Sequence, residues 1–435
     1  MRQTVRLKQD ENVPALSLPL SPYMVQLTQN ALITIEYFPR ICYNKKNRNF
    51  GVSRCGLLSK PHVFFGEREY LMWVIIMLVL GLTALAAFAY LLTRFHNFTF
   101  IRAIGDRSRV LSWLAALLPL VLTGVFWLRF NVTTLFVVLL HLMAAFLLCG
   151  LVFFLLRKIG RCEISYDLEG AAAILLTVVY LSIGWVNGHH VFRTDYRFES
   201  NKPLKRDYRI VEIADSHFGI TQTGATFARE LQRVQALNPD AVVIVGDFVD
   251  DDSDRGDMVE ACKALGTLDT PFGVFFVYGN HDNGYYKYRN FDSAELRAEL
   301  EKNNVTILTD ESILLDDCLY LIGRRDRSDR GRAPMDELMA GLDRTKYTVI
   351  LDHQPNDYDA EAAAGADLVL SGHTHGGHIF PAGQIGRLMG ANDAVYGVTK
   401  HGDTTFVVTS GISGWAIPFK TGTFSEFAVI DIIKP

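Results

Sequence analysis

At 435 residues the chain is too long for one ordinary domain, so two or more regions are expected. A net charge of −4 and a pI near 6.3 leave no basic face of the kind that would call for a nucleic-acid partner. The mean hydropathy of +0.15 is high for a soluble protein, and the excess sits almost wholly between Leu71 and Val186.

Residues 1–69 mix charges around a basic cluster at Lys45, Lys46 and Arg48 and show no helical or strand period. No apolar core follows a short basic start, so they are not a signal peptide. Two readings stand for them: a disordered tail, or a stretch ahead of a true start near Met72. Four apolar stretches then fill 70–186: Leu71–Thr93, Val110–Leu128, Val132–Leu156 and Ala171–Val186. A helix needs about 20 such residues to cross hydrocarbon, and four in a row are expected as membrane spans. Trp113 and Trp127 stand near the ends of the second, where an interfacial aromatic belt would place them. The first loop carries Arg94, Arg102, Arg107 and Arg109, the third Arg157, Lys158 and Arg161, and the second only Arg129. The positive-inside rule puts loops one and three in the cytoplasm and the C-terminal half outside. The basic cluster before residue 70 argues the other way if that stretch belongs to the protein. His141, inside the third span, is either a functional group or a neutral histidine bonding a neighbouring helix.

Residues 187–207 read as a polar connector, and from 208 to 435 short apolar runs alternate with amphipathic stretches. Arg209–Ala214, Ala241–Val245 and Gly273–Val277 are predicted strands, with helices over Thr226–Leu237 and Met258–Leu268 between them. Leu319–Gly323, Thr348–Leu351, Leu368–Leu370, Thr405–Thr409 and Phe427–Ile430 continue the strands. The alternation predicts an α/β domain behind an all-α membrane region of about four helices. Six cysteines (Cys42, Cys55, Cys149, Cys162, Cys262 and Cys318) lack CxxC spacing and support neither a disulfide framework nor a thiolate metal site.

Metal-binding residue types recur where the predicted strands end: Asp215-Ser216-His217, then Gly246-Asp247-Phe248-Val249-Asp250, then Gly279-Asn280-His281-Asp282, Asp352-His353 and Gly372-His373-Thr374-His375. In open α/β sheets, sites gather beyond the carboxyl ends of strands. Each fragment alone is weak; five in order, each at a strand end with glycines beside the donors, are specific.

That order, DxH, GDxxD, GNHD, H and GHTH, resembles the calcineurin-like metallophosphoesterase family, from Tyr208 to Ile433 and without a ligand substitution. Gly376-Gly377-His378-Ile379 and Ser410-Gly411-Ile412 look most like its membrane-associated bacterial branch. The resemblance implies a four-layer α/β/β/α sandwich holding two divalent metal ions. Asp215, His217 and His375 would bind the first ion, Asn280, His353 and His373 the second, and Asp247 would bridge both. It also implies that His281 is no ligand but faces the phosphate and protonates the leaving oxygen. Asp282 is expected to orient that imidazole, because a histidine's second nitrogen usually bonds a carboxylate. For Asp250, capping of the following turn and a functional role stand level. Carboxylate, imidazole and amide donors without thiolate suit manganese, iron or zinc, and the resemblance favours manganese.

Two ions about 3.5–4 Å apart can clamp the attacking and leaving oxygens of an in-line displacement. The expected function is a membrane-anchored, dinuclear-metal phosphoesterase acting on a phosphodiester, pyrophosphate or phosphomonoester. Anchoring beside a bilayer raises the local concentration of lipid-linked substrates. The competing readings are a catalytically silent metal-binding scaffold and the output domain of a membrane sensor. The loops Asn283–Phe291, with Tyr285, Tyr286 and Tyr288, and Arg324–Arg332, with five arginines, are either substrate walls or plain packing and a solvated charge run.

Overall fold

The computed structural model describes residues 67–160, 164–284 and 289–435. The tail up to residue 66, with Cys42 and Cys55, lies outside the described residues, as do Arg161, Cys162, Tyr285, Tyr286 and Tyr288.

Helices α1 (Glu67–His96), α2 (Thr99–Gly105), α3 (Arg109–Trp127), α4 (Val132–Gly160) and α5 (Tyr166–His189) come first. All but α2 are long and apolar enough to cross a bilayer. Helix α5 outruns the apolar stretch read from sequence because Ser165 caps it, its hydroxyl accepting the Leu168 N–H at 3.2 Å, and Asp167 and Glu169 favour a helix N-terminus. Glu169 is buried and meets Arg94 of α1 at 3.3 Å and Arg157 of α4 at 2.8 Å, tying three helices together at one end of the bundle. His141 bonds its own helix, its Nδ1 lying 2.7 Å from the Val137 carbonyl, while Nε2 is 3.5 Å from Thr421 Oγ1 of the following domain.

Helix α5 runs straight into β1 (Val191–Glu199), so the stretch 187–207 is not simply a connector. Arg193, Asp195 and Arg197 alternate with apolar residues on an edge strand whose outer side stays half exposed. That composition resembles a linker, and only the pairing of β1 with the last strand makes it part of a sheet.

The α/β region continues with β2 (Tyr208–Ile213), α6 (Gly224–Gln235), β3 (Ala241–Val245), α7 (Arg255–Leu265), β4 (Val274–Val277), α8 (Ser293–Lys302) and β5 (Val305–Ile307). A second series follows: β6 (Glu311–Leu315), β7 (Leu319–Gly323), α9 (Met335–Leu338), β8 (Tyr347–Leu351), α10 (Tyr358–Ala363), β9 (Leu368–Ser371), α11 (Ala382–Leu388), β10 (Gly397–His401), β11 (Thr404–Val408) and β12 (Ser425–Ile433). One six-stranded sheet has the order β1-β12-β2-β3-β4-β5 and the other β10-β11-β9-β8-β7-β6. Within the first, β2 to β5 run parallel and β12 lies antiparallel to β2; within the second, β7, β8, β9 and β11 run parallel between two antiparallel edge strands.

The sheets face each other through Val243, Phe275 and Ile430 on one side and Leu321, Val349 and Leu370 on the other. The outer face of the first is covered by α6, α7 and α8 through Phe227, Met258 and Leu296. Met335 and Tyr358, on α9 and α10, cover the outer face of the second. This is a four-layer α/β/β/α sandwich. Sheets buried on both faces explain why β3, β8 and β9 read as continuous apolar runs.

Candidate metal centre

The carboxyl ends of β2, β3 and β4 in one sheet and of β8 and β9 in the other meet at one edge of the sandwich. The loops leaving them bring two donor groups together: Asp215, His217 and His375, and Asp247, His353 and His373. His217 Nε2 lies 4.0 Å from Asp215 Oδ1 and 3.6 Å from Asp247 Oδ2. His353 Nε2 is 3.1 Å from that same Asp247 oxygen, and His375 Nε2 is 3.8 Å from Asp215 Oδ1. Asp247 Oδ2 thus sits between imidazoles of the two groups. Asn280 is also buried beside them; its Oδ1 is 3.5 Å from Gln354 Nε2, which donates to Asp326 at 2.8 and 3.0 Å.

Asp215, His217 and His353 are completely buried and Asp247 nearly so. Burial, with Asp247 adding to it and His353 opposing, pushes the Asp215 carboxyl up to about 6. His217 Nε2 has no hydrogen-bond partner, and His353 Nε2 faces only the Asp247 carboxylate, at 3.1 Å. Buried charges are normally paired or coordinate metals, so carboxylates ringed by inward-facing imidazole nitrogens fit divalent cations. The outer nitrogens are already committed: His353 Nδ1 lies 2.9 Å from the Val245 carbonyl and His375 Nδ1 lies 3.3 Å from that of Ser413. Such contacts fix each ring with Nε2 turned inward. Both Asp215 oxygens accept the His373 N–H at 3.0 Å, and Asp247 Oδ1 accepts the His281 N–H at 2.8 Å.

The backbone is strained here. Asp215, His217, Asp247, His373 and His375 all have positive φ, between 36° and 68°. Each such residue costs of the order of 1–3 kcal/mol and persists only where surrounding structure over-determines it. Gly279 shows how tight the site is: a Cβ there would stand 2.2 Å from Asp247 Oδ1 and 2.3 Å from its backbone nitrogen.

The expected partnership of Asp282 with His281 is corrected. Asp282 is buried with its carboxylate turned to the backbone, accepting the N–H groups of Val249 at 3.1 Å and Gly279 at 2.7 Å, and so holds two motif loops together. The carboxylate that faces His281 is Asp250: its Oδ1 is 2.9 Å from His281 Nδ1 and its Oδ2 is 3.3 Å from His217 Nδ1. Burial lowers the affinity of the His281 ring for a proton, but Asp250 and Asp247 outweigh it and push the imidazole up to about 9. The sequence signal was the second aspartate of Gly246-Asp247-Phe248-Val249-Asp250, which a tight turn brings back towards the site. Trp415, not singled out from sequence, stands at the rim with its ring 5.6 Å from that of His281.

The arginine loop divides. Arg324 is buried, with Nη1 2.9 Å from Asp352 and 3.0 Å from Glu361, and Nη2 2.9 Å from Asp357; Arg332 also donates to Asp352, at 2.9 and 2.5 Å. These two hold the turn just before His353, while Arg327 and Arg330 are exposed. Replacing Arg324 by Leu strands buried carboxylates, and loss of one partner of a buried ion pair costs about 3–5 kcal/mol. A correspondingly lower denaturant midpoint is expected for Arg324→Leu, whereas an unchanged midpoint would show that the network contributes nothing to stability.

The model of the calcineurin-like phosphoesterase family matches residues 208–377. An uncharacterized metallophosphoesterase of Campylobacter jejuni is 31% identical over 235 residues, covering 53% of this chain and 60% of that protein. A transmembrane protein with metallophosphoesterase domain from Bos taurus is 29% identical over 297 residues, covering 62% of this chain and 65% of that one. An uncharacterized metallophosphoesterase of Aquifex aeolicus is 31% identical over 194 residues, covering 43% of this chain and 71% of its own length. The chain therefore spans about three-fifths of the length of the first two relatives.

Proposed function

Because the chain belongs to the calcineurin-like metallophosphoesterase family, we propose that it is a membrane-anchored phosphoesterase hydrolysing a phosphodiester, pyrophosphate or phosphomonoester bond with two divalent metal ions. The observation that carries this reading is the convergence of the two buried donor groups on one carboxylate, Asp247, with His281 alongside. Asp215, His217 and His375 would hold one ion, Asn280, His353 and His373 the other, and Asp247 would serve both. Bound there, the ions would supply Lewis acidity at the phosphoryl oxygens and acidify an attacking water. The chain's own residues do the rest. His281 carries a proton at the mouth of the site and delivers it to the leaving oxygen. Asp250 holds that ring through Nδ1, and Nε2 is the nitrogen assigned to donate. Asp282 keeps the loops of Asp247 and His281 in register.

The four apolar helices, and the similarity to a transmembrane relative, support anchoring in a membrane. Asn131 in the short loop between α3 and α4 donates to the Ala416 carbonyl at 2.7 Å, so the catalytic domain shares a side with the loop that carries only Arg129. With arginines crowding the opposite loops, that arrangement favours an extracytoplasmic domain. Mixed carboxylate, imidazole and amide donors suit manganese, iron or zinc, and the family resemblance favours manganese.

The test is hydrolysis by the full-length protein in lipid nanodiscs, with manganese, zinc, iron and chelator arms. Bis(p-nitrophenyl) phosphate and p-nitrophenyl phosphate serve as soluble probes, and vesicles of phosphatidic acid, phosphatidylglycerol and CDP-diacylglycerol as lipid-borne ones. Metal-dependent turnover of at least one probe is expected. Two bound ions without turnover of any probe would favour the silent scaffold.

A further inference from the structure

The segment after the last metal-centre motif combines features that the reaction does not explain. From Ile379 to Asn392 it carries a single charged residue, Arg387, and no acidic one. Helix α11 buries none of its side chains. Phe380 is 55% exposed, Ile385 50%, Leu388 88% and Met389 79%, an apolar concentration that singly scattered surface residues do not produce.

Its position is fixed at both ends. Ile379 packs into a cluster with Val138 and Leu181 of the spans, Phe419, and the span-end tryptophans Trp127 and Trp185. Tryptophans at span ends mark the level of the lipid headgroups. The Phe380 N–H donates to Thr421 Oγ1 at 3.1 Å, and the Thr421 carbonyl accepts from Tyr180 of α5 at 3.2 Å. On the other side Gly383 presses against Gly377, two residues beyond His375, where a Cβ on Gly383 would lie 2.4 Å from the Gly377 Cα. The apolar segment therefore starts at headgroup depth, against the spans, and is packed directly on a loop of the metal centre.

We infer that Phe380–Met389, with α11 at its centre, seats in the interfacial layer of the bilayer that holds the spans, so that the metal centre takes its phosphate ester from a membrane lipid. This substrate class rests on the hydrolase reading above; the membrane contact does not. Continuity with the span-end cluster argues for lipid as the occupant, and a lone positive charge at Arg387 suits an anionic headgroup layer. Trp415 stands beside His281 on the loop that also carries Phe419 into the span cluster, so site and bilayer share one connecting element.

The membrane contact is read with full-length protein in phosphatidylethanolamine–phosphatidylglycerol nanodiscs. Cys42, Cys55 and Cys162 are replaced by serine, and a fluorophore is placed through Leu388→Cys or, as a control on α8 at the far edge of the first sheet, through Glu301→Cys. Lipids carrying a quencher near the glycerol end should quench the label at 388 several-fold more than the one at 301. Equal quenching overturns the proposal. So does shielding of the 388 label that persists without lipid and grows with protein concentration, which would assign the surface to a second copy. In a second arm, Phe380→Ser/Leu388→Ser/Met389→Ser should lose about tenfold on whichever lipid probe is turned over, since interfacial binding scales with buried apolar area. Hydrolysis of the soluble diester should stay unchanged, and equal loss on both probes would overturn the link to lipid substrates. Absence of turnover in the parent protein would sink the hydrolase reading while leaving the quenching result to decide the membrane contact.

Discussion

Asp247→Ala is expected to abolish metal-dependent hydrolysis. Its Oδ2 lies 3.6 Å from His217 Nε2 and 3.1 Å from His353 Nε2, so one side chain serves both donor groups. Its Oδ1 also accepts the His281 N–H at 2.8 Å, which places the proposed proton donor. One substitution therefore disturbs both ion sites and the acid. Residues that only orient a ligand typically cost about 10- to 100-fold, and the loss here should exceed that, reaching on the order of 10³-fold or more. Metal content by elemental analysis should fall from two ions per chain to one or none. The carboxylate lies among the imidazoles of His217 and His353, so a circular-dichroism spectrum matching the parent's is needed to separate lost chemistry from unfolding. Retained turnover with two bound ions would show that Asp247 does not bridge.

His281→Ala is expected to lower kcat by about 10²- to 10⁴-fold, the usual contribution of a general acid, with metal content unchanged. The effect should shrink for leaving groups that need no proton, such as p-nitrophenolate, and be largest for alkoxides. Asp250→Asn tests the corrected pairing. The aspartate sits 2.9 Å from His281 Nδ1, and its hydrogen bond and charge, together with the charge of Asp247, hold the ring's proton affinity up. Removing that negative charge lowers the imidazole pKa, so the protonated form is lost at lower pH. The basic limb of the kcat profile should shift to lower pH, with activity down about 10- to 100-fold. Asp282→Asn should leave that limb in place, because its carboxylate faces the backbone N–H groups of Val249 and Gly279. A limb that moves with Asp282 and not with Asp250 would reverse the assignment.

Much of the α/β domain was legible in the residues. Ala241–Val245 and Leu319–Gly323 run as strands over the ranges expected from their apolar pattern. A buried parallel strand announces itself as a short continuous apolar run. The strand Val191–Glu199 did not, because as an edge strand with charged residues on its outer face it shares its composition with a linker. Its place depends on β12, whose partner residues begin 234 positions later with Ser425. Pairing over that distance leaves no local signature.

The sequence by itself determined which chemistry the chain can carry. Seven donor residues and a further histidine stand at strand ends in a fixed order, and four apolar helices stand before them. Both follow from periodicity and side-chain chemistry, which are local properties. Only the tertiary structure decided which carboxylate serves which histidine. Asp250 and Asp282 lie at similar distances along the chain from the site's glycines, yet the strained turn after β3 aims one at His281 and buries the other against backbone N–H groups. Tertiary contacts likewise turned Arg324 and Arg332 inward to carboxylates, and set Ile379, just ahead of the exposed apolar run Phe380–Met389, against the span ends. Direction is a property of φ, ψ and packing, and a one-dimensional string of residue types does not specify where a side chain points.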